Sequence, residues 1–219
     1  MPGPTSGRPA SGGGRWVEVD PGRLRRWIDG FAERHGPYSH APEPGALRLV
    51  AADGSVAELQ VPPGAPAALD LDGFVAHAAH PRRLGLMLAR QSAVAIGVAD
   101  GDQLVVSKVD SSYVQSRTAA GGWSQHRFAR RRENQARAAA GSAGDIVARL
   151  LLPEAGRLAA VVAGGNRRTV DTILADPRLA PVAALRAERF LDVPEPRLAV
   201  LQRAVAAARA VRIRIIETG

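Results

Sequence analysis

Apolar residues recur along this chain with two spacings, every second residue and every third or fourth residue. Alternation or a short apolar run predicts a strand, and the wider spacing predicts a helix with one buried face. Strands are predicted at 15–20, 46–51, 55–61, 83–90, 93–99, 103–109, 157–163, 190–193 and 211–216. Helices are predicted after residues 20–21, at 69–79, from 127 to about 150, at 167–174 and at 196–208. Strands that alternate with helices indicate a mixed α/β fold with flanking helices.

Turn and capping residues support several of these boundaries. Asp53-Gly54 and Asp100-Gly101 predict hairpins, because Asp-Gly suits a two-residue turn. Asp20 followed by Pro21 predicts the start of a helix. Gly141 and Gly144 interrupt the long helical pattern, so a kink or a break is expected there.

The run Gly164-Gly165-Asn166 lies between a predicted strand and a predicted helix. Free N–H groups at such a junction can bind a phosphate. The run lacks the spacing of a nucleotide-binding fingerprint. A tight structural turn is therefore the preferred interpretation, with phosphate binding as the alternative.

The length of 219 residues suits one domain, or one domain with a small appendage. Residues 1–14 are rich in Gly, Pro and Ser and are expected to be a disordered tail. Residues 15–82 are expected to be an α/β extension of the same domain, and residues 83–219 its core.

Charge and composition narrow the classes of partner. The formal net charge is +8, and 28 of the 29 basic residues are arginine. A charge of this sign favours polyanions, of which RNA is the commonest in the cytoplasm. No long apolar run predicts a membrane span, and no apolar signal-peptide region precedes the first strand. A cytoplasmic monomer that does not contact membrane is expected.

Metal and thiol chemistry find little support. The chain has no cysteine, so it has neither a disulfide framework nor a thiolate ligand. His77 and His80 are spaced like two metal ligands, but no third ligand stands nearby, and the acids are scattered. We expect no metal and no cofactor.

Residues 117–137 concentrate the unusual chemistry of the chain. Gly121 and Gly122 permit a positive φ or a close approach to a ligand, and Gln125 follows at the tip. This stretch contains one acidic residue, Glu133, and six arginines. The arginines are Arg117, Arg127, Arg130, Arg131, Arg132 and Arg137. On a helix Arg127, Arg130, Arg131 and Arg137 share one face, which suits binding to RNA phosphates. The alternative is an ordinary glycine turn that leads into a solvated helix face.

The stretch G-G-W-S-Q-H-R-F-A-R-R-R resembles the loop and helix of eukaryotic and archaeal class I peptide-release factors, G-G-Q-S-A-x-R-F-A-R-x-R. The matching residues are Gly121, Gly122, Ser124, Arg127, Phe128, Ala129, Arg130 and Arg132. The family's Gln is Trp123 here, and Gln125 lies two positions later. A displaced Gln is similar to the Vms-type release-factor-like peptidyl-tRNA hydrolases of ribosome quality control. On this resemblance, which covers about residues 83–219, the chain is identified as a member of their bacterial branch.

The resemblance implies a release-factor central-domain-like fold, which is ribonuclease-H-like, with a protruding glycine loop and a long basic helix. It implies hydrolysis of the ester between nascent peptide and tRNA on stalled large subunits, with ribosome, peptidyl-tRNA and ribosomal RNA as partners. Gln125 would position the water, with Gly121 and Gly122 at the same site, and Arg117, Arg127, Arg130, Arg131 and Arg137 would bind RNA.

Other catalytic mechanisms at this tip have less support in the sequence. Ser124 and His126 stand close in sequence, but no nearby acid would orient a serine–histidine pair. A glutamine amide has no useful pKa, so Gln125 would hold water rather than take its proton. The main rival is a non-catalytic RNA- or ribosome-binding rescue module, which has no need of Gln125. A ribonuclease of related topology is a weaker third option, because an acidic cluster is missing.

Overall fold

The computed structural model describes residues 8–10, 13–65, 70–90, 93–111 and 140–218. Its strands are β1 (Arg8–Pro9), β2 (Arg15–Val19), β3 (Tyr38–Glu43), β4 (Ala46–Ala51), β5 (Val56–Gln60), β6 (Arg83–Ala89), β7 (Val94–Asp100), β8 (Gln103–Asp110), β9 (Ala160–Gly165), β10 (Arg186–Leu191) and β11 (Val211–Ile216). Its helices are α1 (Leu24–His35), α2 (Leu71–Ala79), α3 (described over residues 140–151), α4 (Arg167–Leu174), α5 (Ala180–Ala184) and α6 (Leu198–Arg209). This mixed α/β architecture confirms the predicted fold class.

The chain divides into two units. The first unit contains Met1–His80 and Arg209–Gly219, and the second contains Pro81–Ala208. The first boundary lies close to the change expected after residue 82. The last eleven residues, which the sequence interpretation grouped with the core, belong to the first unit, and their strand Val211–Ile216 pairs with β2 and β5.

The first unit is a six-stranded sheet in the order β1-β2-β11-β5-β4-β3, with every described neighbour pair antiparallel. Helices α1 and α2 bury Leu24, Ile28, Phe31 and Phe74 against one face of this sheet. Asp20 caps the short 3-10 turn before α1, since its Oδ1 accepts from Gly22 N at 2.9 Å.

Two features of the first unit differ from the sequence interpretation. Arg8 and Pro9 lie in the segment expected to be disordered, yet they pair with Trp16 and Arg15 of β2. Strand β3 was not predicted, because its residues are mostly exposed and include Pro42. Proline is tolerated there because β3 is the edge strand of its sheet. By contrast, the predicted β4–β5 hairpin around Asp53-Gly54 is confirmed, with Gly54 at φ +86°.

The second unit is a five-stranded sheet in the order β10-β9-β6-β7-β8. Strands β6, β7 and β8 pair antiparallel, and β9 and β10 add parallel to β6. This arrangement is the one expected of a ribonuclease-H-like sheet. Helices α3, α4 and α5 contribute to one apolar cluster on the sheet, and α6 contributes to another.

Several strands begin at residues other than those predicted from the sequence. Strand β9 begins at Ala160 rather than residue 157, and β10 begins at Arg186 rather than residue 190. The early part of β10 was missed because its residues are polar or half-buried, R-A-E-R, and give no apolar run. Helix α5 was missed because it is short and carries Pro181 in its first turn.

Among the helices that the structure describes, none combines the length and apolarity needed to cross a lipid bilayer.

Candidate functional site

The residues predicted to act in catalysis or RNA binding all lie outside the described part of the chain. They fall within residues 112–139 and are Gly121, Gly122, Gln125, Arg117, Arg127, Arg130, Arg131 and Arg137. The predicted glycine loop and the first part of the basic helix lie there as well. The structure describes the parts of the second unit that precede and follow this segment.

Strand β8 leads into residues 112–139 from one edge of the second sheet. Its last residue, Asp110, pairs with Val94, and Val94 pairs with Ala89 at the end of β6. Ala89 in turn pairs with Gly165 at the end of β9. The ends of β6, β8 and β9 therefore share one edge, which we call the carboxyl edge. Neighbouring strands lie about 4.8 Å apart, so Asp110 and Gly165 are separated by roughly 14 Å.

After this segment the chain continues as helix α3, and the apolar face of α3 packs on the second sheet. Ala143, Ile146, Val147 and Leu151 are buried against the second sheet, and their spacing places them on one face of the helix. These residues fix the position to which the chain returns.

The two glycines of α3 do not interrupt it. Residues 140–151 are continuously helical, so the break expected at Gly141 and Gly144 is absent. Gly144 instead permits close packing, because a Cβ atom there would lie 3.3 Å from Asp176 Oδ2. The predicted break is wrong because the apolar face of α3 packs on the sheet, and this burial outweighs the roughly 1 kcal/mol by which each glycine disfavours a helix.

An arginine links α3 to the turn that follows α4. Arg178 Nη2 donates to Asp145 Oδ1 at 2.9 Å and to Asp176 Oδ2 at 2.6 Å. Hydrogen bonds from the Arg178 side chain and its backbone N–H lower the pKa of Asp176. The hydrogen bonds to Asp176 and Asp145 raise the pKa of Arg178.

A second cluster lies at the opposite edge of the sheet, where β6 begins. Arg83 Nε and Nη2 donate to the two carboxylate oxygens of Glu154 at 2.9 and 3.2 Å, and Nη1 donates to Asp100 at 2.8 Å. This forked pair lowers the pKa of Glu154, mainly through the hydrogen bonds from Arg83. It connects the end of the α3 region to β6 and β7.

The Gly164-Gly165-Asn166 junction is a tight structural turn, as preferred from the sequence. Gly165 has φ +95°, and a Cβ atom there would lie 2.3 Å from the Ala89 carbonyl oxygen. Asn166 N donates to that same oxygen at 2.8 Å. Asn166 Oδ1 accepts from Thr169 N at 3.0 Å and so caps α4 with the protein's own side chain.

Three arginines at the carboxyl edge were not singled out from the sequence. Arg90 follows β6, and its Nε and Nη2 atoms donate to the Val193 carbonyl at 3.0 and 2.7 Å. Arg167 places its guanidinium carbon 4.2 Å from the centre of the Phe190 ring. Arg168 is exposed on the first turn of α4. The sequence does show basic residues shortly after two predicted buried strands. Only the pairing of β6 with β9, however, shows that these residues lie at the same edge of the sheet.

His77 and His80 were considered as a metal-ligand pair. Within the described ranges, no group of three or more His, Cys, Asp or Glu side chains could hold a metal ion. The third ligand that this pair would need is not found among those residues.

Residues 82–214, about 60% of the chain, match the family described as "Actinobacteria/chloroflexi VLRF1 release factor". The sequence has no significant match among curated proteins.

Solved structures with similarity to this chain include the following two. The crystal structure of the archaeal translation termination factor aRF1 shares 16% identity at a TM-score of 0.47, over 88% of this chain and 63% of that chain. This chain therefore spans less than two thirds of the archaeal factor's length. The Vms1 mitochondrial localization core shares 8% identity at a TM-score of 0.41, over 91% of this chain and 82% of that chain.

Proposed function

Because the chain belongs to the Actinobacteria/chloroflexi VLRF1 release-factor family, we propose that it is a cytoplasmic ribosome-rescue factor that hydrolyses peptidyl-tRNA on stalled large subunits. The observation that carries the proposal is the family match over residues 82–214, which includes the whole stretch with Gly121, Gly122 and Gln125. The family agrees with the resemblance to Vms-type release-factor-like proteins inferred from that stretch.

The proposed chemistry is ester hydrolysis by positioning of water. The amide of Gln125 holds a water molecule by hydrogen bonds while that water attacks the ester carbonyl. A backbone N–H of the glycine loop stabilises the oxyanion that forms, and the absence of Cβ atoms at Gly121 and Gly122 allows close approach. The ribosome and the tRNA terminus supply the rest of this site.

The proposed binding is electrostatic. Residues 112–139 contain six arginines and one glutamate, so they carry +5 of the formal net charge of +8. Arg117, Arg127, Arg130, Arg131 and Arg137 would contact phosphates of ribosomal RNA or tRNA. In this proposal the described parts of β8 and α3 support the segment, since both are anchored in the second unit.

Substitution of Gln125 tests the catalytic proposal. We expect Gln125→Ala to lower the rate of tRNA release from large subunits carrying peptidyl-tRNA by about 100- to 1000-fold, with binding nearly unchanged. The loss should appear in the rate because the postulated contact acts in the transition state. Release is followed by the appearance of free tRNA, and binding is followed by co-sedimentation with the subunits.

The matched control is Gln103→Ala, which removes an exposed glutamine at the start of β8. It should release peptide at the parent rate. If Gln125→Ala also releases at the parent rate, the catalytic assignment of Gln125 fails. Loss of release in Ser124→Ala or His126→Ala instead would indicate covalent or acid–base catalysis.

The second candidate is a non-catalytic rescue module that binds ribosomes without hydrolysis. It is favoured by the departure at Trp123, where the release-factor pattern has its glutamine. A parent protein that binds stalled large subunits but never releases tRNA would establish this alternative.

A further inference from the structure

The arginines of the second unit differ in how their charges are balanced. At the start of β6, Arg83 is paired with Asp100 and Glu154, and Arg186 at the start of β10 is paired with Asp171 at 2.5 Å. Arg178 is paired with Asp145 and Asp176. Carboxylates therefore neutralise these three arginines, all of which lie away from the carboxyl edge.

Three arginines at the carboxyl edge, Arg90, Arg167 and Arg168, form no ion pair with a described carboxylate. Arg90 donates to a backbone carbonyl, Arg167 lies on the ring of Phe190, and the Arg168 guanidinium makes no contact with a described acid. A neutral carbonyl or ring can orient a guanidinium but does not cancel its charge. We call Arg90, Arg167 and Arg168 the carboxyl-edge arginines.

The topology places these three residues at the ends of neighbouring strands. The Arg90 side chain lies over Gly165, since a Cβ atom on Gly165 would be 3.3 Å from Arg90 Cγ. Its guanidinium reaches Val193, beyond the end of β10. Arg167 and Arg168 follow Gly165 by two and three residues. The cluster therefore extends over the ends of three adjacent strands.

Acids also occur near this edge. Asp192 and Glu195 follow β10, and Asp110 ends β8. Arg197, just before α6, adds a fourth basic residue to the three carboxyl-edge arginines. Basic residues therefore outnumber acids here, and the chain enters the strongly basic residues 112–139 from the same edge.

We propose that the carboxyl-edge arginines form a phosphate-binding surface for RNA, beside the point where the chain enters residues 112–139. Arginine suits this role because its planar guanidinium binds phosphate oxygens in pairs. Phe190 holds one guanidinium in place, and the Val193 carbonyl holds another. This surface rests on the proposed function for its RNA partner, and it adds a contact outside the glycine-loop segment.

The test is the double variant Arg167→Gln with Arg168→Gln, assayed for binding to purified large ribosomal subunits carrying peptidyl-tRNA. Loss of two phosphate contacts should reduce the slope of log affinity against log salt by about 1.4 to 1.8. At 0.1 M salt the double variant should therefore bind the subunits roughly 25- to 60-fold more weakly than the parent does.

Two matched variants separate this effect from net charge and from misfolding. Arg26→Gln with Arg34→Gln removes the same charge from exposed positions of α1 in the first unit and should keep most of the parent slope. Arg167→Lys with Arg168→Lys keeps the charge and should restore most of the affinity. Unaltered melting temperatures in both glutamine variants verify that the fold is intact.

Separate binding assays with empty large subunits and with free tRNA identify the source of the phosphate. A defect on empty subunits assigns the contact to ribosomal RNA, and a defect on free tRNA assigns it to tRNA. If the parent binds and Arg167→Gln with Arg168→Gln binds equally well at every salt concentration, this surface is refuted while the proposed function stands. If the parent itself binds neither subunits nor tRNA, the proposed surface and the proposed function both fail.

Discussion

Single residues in the second unit show how a short side chain, or none, can decide local geometry. Gly165 combines φ +95° with a backbone that lies against the Ala89 carbonyl. Gly144 lets α3 approach Asp176. Gly165 lies at the carboxyl edge, and Gly144 lies on α3, which follows residues 112–139 in the chain.

At Gly165 an added methyl group should be strongly destabilising. Gly165→Ala places an L-residue at positive φ and a Cβ atom 2.3 Å from a carbonyl oxygen, so the backbone must shift. We expect the free energy of unfolding to fall by at least about 1–2 kcal/mol, from the conformational cost alone. Urea denaturation followed by circular dichroism measures the change.

Gly156→Ala is the matched control, because a Cβ atom there meets nothing within 4 Å. Its effect should be within about 0.5 kcal/mol of the parent. Equal stability of the two alanine variants would contradict the strained turn at Gly165.

At the scale of elements, ion pairs connect pieces of the second unit that are distant in sequence. Glu154 lies 71 residues from Arg83, and their forked pair joins the segment after α3 to the start of β6. The side chains are only 18% and 20% exposed, so solvent screens this pair less than a fully exposed one.

Acid should weaken this connection. The folded-state pKa of Glu154 is lowered from its ordinary value of 4.5, so the carboxylate stabilises the fold above about pH 4.5. That contribution is lost as the pH falls through the lowered pKa and the carboxylate is protonated. Glu154→Gln should therefore be less stable than the parent at pH 7, and the difference should shrink steadily below pH 4.5.

Thermal melts between pH 3 and pH 7 measure this convergence. Glu188→Gln serves as the control, since Glu188 is exposed on β10 and forms no ion pair with a described residue. Its difference from the parent should stay small and nearly constant. A stability gap for Glu154→Gln that does not narrow in acid would show that the charge of Glu154 does not stabilise the fold.

At the scale of the whole molecule, charge is divided unequally between the two units. Met1–His80 with Arg209–Gly219 contains ten basic and ten acidic residues, so its formal charge is zero. Pro81–Ala208 contains nineteen basic and eleven acidic residues, which accounts for the whole net charge of +8. Electrostatic attraction to RNA is therefore expected from the second unit, where the family match also lies.

The last strand lies in the interior of the first unit's sheet, although it is far from the rest of that unit in sequence. Strand β11 pairs with both β2 and β5 and buries Val211, Ile213 and Ile215. A chain that ends at Ala210 should lose the folded first unit, because the sheet would be divided and its apolar face exposed. Limited proteolysis with peptide mapping should then show rapid cleavage within residues 13–65.

A chain that ends at Ile216 keeps the strand and is the control for truncation itself. It should resist protease like the parent over the first unit. Parent-like resistance in the chain that ends at Ala210 would mean that β11 is dispensable for that unit.

The sequence alone determined those features that depend on neighbouring residues. The β4–β5 and β7–β8 hairpins followed from Asp-Gly pairs, and α1 followed from its Asp20-Pro21 start and the spacing of Leu24, Ile28 and Phe31. The mixed α/β class and the release-factor relationship also followed from local pattern and motif. Catalysis by Gln125 and RNA binding by the five arginines stay predictions, because those residues lie outside the described ranges.

Only the tertiary structure decided which distant segments meet. Local patterns predicted β11 correctly at 211–216 but could not show that it pairs with β2 and β5, because pairing depends on contacts across about 200 residues of chain. Strand β3 and the start of β10 lacked an apolar pattern, and their neighbours in the sheets establish them as strands. The carboxyl-edge arginines stand together only because β6, β9 and β10 are parallel neighbours, so the strand ends bring together residues that sequence spacing keeps far apart.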